Sequence, residues 1–205
     1  RSSARNTGIS KCTKDIILCI DQDIILNLNF INILYSQIAH FYWNNFLAIG
    51  TVHNLEPIHG LKLNSGEIPI YKFNHWLDSV VQPFDGFHLF LAEEITSDWV
   101  CSNNLSFKRH SWHEMGLQFD EEYDGWGEED VDLGYQGEIK GFKIIRFKCL
   151  SWHAIHRIKV EKNSHDFSRN ILRLFSKYPK LISRQYGMLT ESGSLSKVIP
   201  SMKIK

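Results

Sequence analysis

Apolar and polar residues along this chain switch between two periods, and the switches mark its elements. Asp15-Ile16-Ile17-Leu18-Cys19-Ile20-Asp21-Gln22-Asp23 is an almost unbroken apolar run that stops abruptly at Asp-Gln-Asp. A short β-rich run of this kind predicts a strand buried on both faces, as in a parallel sheet. Asn29–Tyr42 follows with helical spacing, Ile33, Ile38 and Phe41 among its apolar positions, and Phe46–Val52 predicts the next strand. From His53 to Ser97 the chain is punctuated by Gly60, Gly66, Pro57, Pro69 and Pro83 without a clear repeat. Leu105–Lys108 returns to an extended pattern, and Val131, Tyr135 and Ile139 then recur every four residues, as one face of a helix requires. Gly141 is placed to end that helix, and Phe142–Phe147 predicts a strand. Ser164–Tyr178 reads as an amphipathic helix with Phe167, Ile171, Leu174 and Phe175 opposite Arg169, Arg173 and Lys177, stopped by Pro179. The Ser- and Lys-containing tail from Glu191 to Lys205 is expected to be mobile.

Two acidic patterns carry candidate chemistry. Asp21 and Asp23, one residue apart at a predicted strand end, can direct oxygens at one hard divalent cation such as Mg²⁺ or Mn²⁺. In open α/β sheets the carboxyl ends of strands are where ligands sit. The plain alternative is a polar strand-to-loop transition, and an Asp-x-Asp alone is a weak motif. The second pattern runs from Phe119 to Asp132 and splits its carboxylates with Gly125-Trp126-Gly127. Glycine permits sharp bends and close ligand approach, and tryptophan offers a flat apolar face with one donor. Carboxylates beside such a platform suit binding and deprotonation of a sugar hydroxyl. The alternative is an acidic turn leading into a helix whose first turn favours negative charge.

Taken in order, Ser3-Ala4-Arg5-Asn6-Thr7-Gly8-Ile9, the Asp21-Gln22-Asp23 strand end, Asn104-Leu105-Ser106-Phe107-Lys108-Arg109, Phe119-Asp120-Glu121 and Gly125-Trp126-Gly127-Glu128-Glu129-Asp130-Val131-Asp132-Leu133-Gly134-Tyr135 form a series. That series resembles the metal-dependent GT-A glycosyltransferases, particularly the bacterial family-two enzymes and the galactosyltransferase carboxyl-terminal type. The resemblance covers roughly residues 2 to 156 with an unmatched middle, and its most specific block is Trp-Gly-x-Glu-Asp. It implies an α/β fold, a Rossmann-like mixed sheet flanked by helices, over residues 1–160, with 161–205 as a helical extension and tail. It also implies a metal-dependent inverting transfer from a nucleotide-sugar, a UDP-sugar above all, to a saccharide or glycoconjugate hydroxyl, as in polysaccharide biosynthesis.

Residue by residue, the resemblance makes Asp130 the catalytic base and Glu129 its acceptor-orienting neighbour. Arg5, Asn6, Asp21, Asp23 and Asn104 fall on the donor side, Asn6 supporting a turn; Trp126, Gly127 and Glu129 fall on the acceptor side. Asp21 and Asp23 hold Mn²⁺ or Mg²⁺, with a third ligand from Trp152-His153-Ala154-Ile155-His156, where His153 is favoured and His156 stays open. Two departures stand out: Gly116-Leu117-Gln118 where relatives often carry a double glycine, and Gln136 where arginine is common. In the family a βαβ portion precedes this series, so the expectation is a chain lacking its amino-terminal part, not fully active alone and with Asp15–Asp23 left as an open edge. A compact, diverged protein that manages without that unit is the alternative.

Composition adds limits. Lys+Arg of 23 against Asp+Glu of 23 gives no global charge to recruit nucleic acid. Cys12, Cys19, Cys101 and Cys149 lack a Cys-x-x-Cys pair and read as buried thiols of a reducing, cytoplasmic setting. No apolar stretch reaches the roughly 20 residues a bilayer span needs. The basic row of the last helix is a solvated face or, alternatively, rests peripherally on an anionic membrane. Trp76, Phe84, Phe87 and Phe90 either line an acceptor pocket or pack in the core, and His53, His59, His75 and His88 are too scattered to be ligands. Two other functions fit parts of the pattern. A non-catalytic carbohydrate-binding relative would keep the aromatic platform without metal and base, and a glycoside hydrolase would use paired carboxylates without an Asp-x-Asp.

Overall fold

A computed structural model describes residues 1–27, 29–39, 44–55, 93–154 and 160–180. Among them are six strands, β1 Ile16–Ile20, β2 Ile24–Leu26, β3 Phe46–Leu55, β4 Glu93–Glu94, β5 Asn104–Lys108 and β6 Lys143–Ala154. The helices are α1 Ser2–Lys11, α2 Phe30–Ala39, α3 Arg109–Glu114, α4 Glu129–Ile139 and α5 Val160–Lys177. One mixed sheet runs in the order β1-β5-β3-β6-β2, with β4 alongside β6. Only β3 and β6 pair in parallel; the other pairings among the described residues are antiparallel.

Strand alternation builds the two core layers. Leu47 and Ile49 of β3 point to one layer with Ile17, Leu105, Phe107 and Ile144, closed by Ile9 of α1, Trp112 of α3 and Leu133 of α4. Phe46 and Ala48 point to the other, with Ile145 and Phe147 of β6 against Phe30, Leu34 and Ile38 of α2. A sheet covered by helices on both sides follows from this pattern. It is the mixed α/β architecture expected.

Several expectations need correcting. β1 pairs antiparallel with β5, from Ile16 opposite Lys108 to Ile20 opposite Asn104, where a parallel strand was expected. Its side chains do reach both layers, Ile17 one and Ile16 and Leu18 the other. It is nevertheless the terminal strand among the described residues, and Ile20 is 45% exposed. The Arg5-Asn6 segment is helix, not turn. β6 continues to Ala154, well past Phe147, because Ser151 is satisfied inside the sheet: it donates to the Thr51 carbonyl at 3.0 Å and accepts from Asn104 at 2.9 Å.

The buried face of α4 also differs. Ile139 is exposed, whereas Leu133 and Tyr135 are fully buried. Two glycines explain the shift. A Cβ on Gly134 would collide with the Ser97 carbonyl, and one on Gly137 would press on Leu47, so the helix packs closest where it has no side chain. Gly141, at φ +77°, follows the helix end as expected. Cys12 is exposed rather than buried. Trp76, Phe84, Phe87, Phe90, His59, His75, His88, His156, the tail beyond Glu191 and the side chains of His53 and Cys149 lie outside the described residues. No helix among the described residues is long and apolar enough to cross a membrane.

Candidate functional site

Asp21 and Asp23 occupy the tight turn that joins β1 to β2, closed by the Ile24 amide donating to the Asp21 carbonyl at 3.1 Å. The antiparallel register of β2 on β6 sets Ile24 opposite His153. Asp23 is therefore carried beside that imidazole, with His153 Nε2 3.3 Å from Asp23 Oδ2. Arg5 of α1 reaches the same place from another direction. It donates to Glu129 Oε1 at 3.0 Å and to Asp21 Oδ1 at 3.2 Å, and lies 3.6 Å from Asp130 Oδ1. One guanidinium thus ties the β1–β2 turn to the first turn of α4, its fork serving two carboxylates at once.

These groups open onto a single cavity of about 460 Å³, whose lining includes Asp21, Asp23, His153, Asp130, Glu129 and Trp126. Residues that the sequence separates by more than a hundred positions share one wall. Trp126 is 40% exposed into this region, its ring tilted against Phe167 with centroids 5.5 Å apart. Gly125 and Gly127 on either side have φ of +79° and +98°, and a Cβ at either would strike α5. The Gly-Trp-Gly spacing thus comes from backbone that side chains disfavour and from lack of room.

Charge in the cavity is dominated by carboxylates. Burial and then the neighbouring Glu129 raise the Asp130 carboxyl to about 6, while Arg5 and the hydroxyl and amide of Ser102 pull the other way. Burial, then Glu129 and Asp130, raise Glu128 to about 7. Cys101 also lines the cavity, but burial first and Asp130 next push its thiol up to about 12. A thiolate nucleophile is not what this site presents.

As for a metal, two carboxylates and an imidazole suit a hard divalent cation. Asp23 and His153 stand side by side, whereas Asp21 turns one oxygen to Arg5. No group of three His, Cys, Asp or Glu able to hold a metal is gathered among the described residues. The donor types fit; closing the set requires Asp21 to share or exchange Arg5.

Two expected donor-side residues lie elsewhere. Asn6 is a clasp: its side chain donates to the Phe119 carbonyl at 2.8 Å and to Glu121 at 2.9 Å, and accepts from the Phe119 amide at 3.0 Å. Asn104 is fully buried over Gly50 in the sheet and bonds Ser151, while its neighbour Asn103 lines the cavity. Asn104 is the first residue of β5 and Asn103 belongs to the turn before it, so the two side chains are carried to different places. Glu128, the variable position of Trp-Gly-x-Glu-Asp, also lines the cavity and was passed over in the sequence for lack of a motif role.

α5 is more than an appendage. Asn170, 2% exposed, donates to the carbonyls of Asp124, Trp126 and Gly127 and so fastens the loop bearing the tryptophan. The basic row expected to face solvent or membrane is turned onto the acidic block. Arg173 and Lys177 both donate to Asp120, at 2.7 and 2.9 Å, and Lys177 also pairs with fully buried Asp132. Gln136, standing where arginine is common, bonds Asp132 as well, so Lys177 supplies the positive charge there.

Burial works to raise Asp120, but the Lys177 and Arg173 bonds outweigh it and hold the carboxyl at about 2. A depressed carboxyl stabilises the fold above its unfolded pKa of about 3.9, and that stability is lost as pH falls through the folded value. Asp120→Asn is expected to cost about 2 kcal/mol at pH 7. The gap between wild-type and variant melting points should then close between roughly pH 4 and pH 2. A gap that stays constant across that window would show that Asp120 does not act through its charge.

The chain is similar to validoxylamine A glucosyltransferase of Streptomyces hygroscopicus subsp. jinggangensis (strain 5008), at 29% identity over 102 residues that make up 49% of this chain and 24% of that protein. The protein of the same name from subsp. limoneus matches at 29% over 102 residues, 22% of its length. The match therefore spans about a quarter of the length of these relatives. Among solved structures, S. aureus TarS 1-349 in complex with UDP-GlcNAc superposes with a TM-score of 0.49 at 11% identity, over 85% of this chain and 47% of that one. No family model matches.

Proposed function

We propose that this chain carries the transfer centre of a metal-dependent, inverting glycosyltransferase of the GT-A type. It moves a sugar from a nucleotide-sugar, a UDP-sugar by preference, to a hydroxyl of a saccharide or glycoconjugate. The support is one convergence: Asp21 and Asp23 of the β1–β2 turn and Asp130, 107 positions after Asp23, line the same cavity, with Trp126 at its side. Similarity to two glucosyltransferases, low as it is, points the same way.

The chemistry follows from the groups present. Asp130, in the first turn of α4, accepts the proton of the acceptor hydroxyl as that oxygen attacks the anomeric carbon from the face opposite the departing diphosphate. Its carboxyl, raised towards neutrality, takes a proton more readily than an ordinary aspartate yet is still largely ionised at pH 7. Glu129 is held by Arg5 and orients the acceptor. Arg5 balances the carboxylates, and its cation lies on the donor side where the diphosphate would rest. Asp23 and His153, completed by Asp21, would hold Mn²⁺ or Mg²⁺, which when bound supplies Lewis-acid neutralisation of charge on the leaving group.

Calorimetric titration with UDP, with and without Mn²⁺, tests this directly. Binding that strengthens at least about tenfold with the metal is expected, a difference of about 1.4 kcal/mol. Binding indifferent to metal would favour a carbohydrate-binding protein without transfer chemistry.

A further inference from the structure

Glu128 combines three properties that no role assigned so far uses. It lines the cavity beside Trp126. It is 9% exposed, and its Oε2 is buried with no hydrogen-bond partner among the described residues. It is also the one non-glycine with positive φ there, at +71°, just ahead of α4. A left-handed backbone at a long side chain costs of order 1–3 kcal/mol and persists where the surroundings enforce it. A buried, unpartnered carboxyl oxygen costs a further 1–3 kcal/mol or more. The fold by itself gains nothing from either, whereas a ligand hydroxyl that bonds this carboxyl offsets the second cost.

The neighbours define that partner. Glu129 is taken by Arg5, and Asp130 has Arg5 within 3.6 Å, so Glu128 is the carboxyl of the Glu-Glu-Asp run with no cation paired to it among the described residues. Beside it stands an exposed indole face of the kind that stacks on a sugar ring. Resting on the glycosyltransferase reading above, we propose that Glu128 is an acceptor-recognition residue: its carboxyl hydrogen-bonds a hydroxyl of the saccharide lying against Trp126 and so selects saccharides over water as acceptor. A raised pKa of about 7, set by burial and then by Glu129 and Asp130, fits this role, because a neutral carboxyl both donates to and accepts from a hydroxyl.

The role is specificity, so the measured quantity is a ratio. UDP release is followed with UDP-glucose, UDP-galactose or UDP-GlcNAc, first with water as the sole acceptor and then with a panel of methyl glycosides. Glu128→Ala is expected to lower the preference for glycoside over water by about tenfold, mainly through a higher glycoside KM. Glu128→Gln, which keeps a donor and an acceptor, should restore most of it. Glu128→Asn tolerates the left-handed backbone and guards against misfolding, since it shortens the side chain without adding strain. It should lose preference as the alanine variant does. Glu114→Ala, an exposed carboxylate paired with His110, is the control and should not move the ratio.

Unchanged preference in both Glu128→Ala and Glu128→Asn overturns the assignment. So does a wild type that releases UDP into water but responds to no glycoside. A wild type with no UDP release from any donor instead sinks the transferase reading, and this assignment with it.

Discussion

Asp130→Asn should abolish sugar transfer while donor binding persists. The amide is close in shape to the carboxylate but cannot take the acceptor proton, and loss of a positioned general base costs about 10²–10⁴ in rate. Binding of UDP should survive because the proposed donor side consists of Arg5, Asp21 and Asp23, cavity residues that the change does not remove. Activity of the wild type should fall on the acid side with a midpoint near 6, where Asp130 becomes protonated. Turnover is the readout for the variant and calorimetry with UDP for binding. Loss of both together would place Asp130 on the donor side and remove it as the base.

Arg5→Met has the next largest expected effect, and it falls on stability and pH dependence together. Methionine keeps much of the side-chain length and loses the charge. Glu129, 6% exposed at its side chain, is then left without its cation, and so in part are Asp130 and the more open Asp21. Stranding carboxylates in this way costs about 3 kcal/mol, the low end for buried pairs because Asp21 is 44% exposed. For a chain of 205 residues that is roughly 6–12 °C in melting temperature. Arg5 lowers the Asp130 pKa, so its removal raises that pKa further and moves the acid limb of the rate profile to higher pH. Arg5→Lys should recover only part of either loss, since an ammonium cannot fork to two carboxylates. A pH profile that does not move would show that Arg5 and Asp130 are not coupled.

Much of the local structure was legible in the residues themselves. α2, β3, β5 and the start of α4 fall close to where the periodicity and the glycines put them, because each leaves its pattern of apolar spacing and punctuation in a few consecutive residues. The α4 face was misjudged since glycine is silent in an apolar count, yet Gly134 and Gly137 are the helix's closest points of contact. β1 was assigned the wrong direction because an apolar run records burial and carries nothing about which strand lies beside it. The basic row of α5 looked solvated for a related reason. Charge spacing on one helix says nothing of the carboxylates of Asp120 and Asp132 that meet it from elsewhere.

The site divides along the same line. The linear order alone determined the chemistry on offer: an Asp-x-Asp at a strand end, a Gly-Trp-Gly platform, a Glu-Glu-Asp run and a histidine late in a strand. Only the tertiary structure decided that Arg5 joins two of these pieces, that register sets His153 against Asp23, that Asn103 and not Asn104 faces the cavity, and that Glu128 is buried at its edge. The physical reason is range. Side-chain chemistry and backbone preference are properties of a residue and its near neighbours, whereas burial, pairing and a shifted pKa come from groups that sequence separates and only folding brings within a few ångströms.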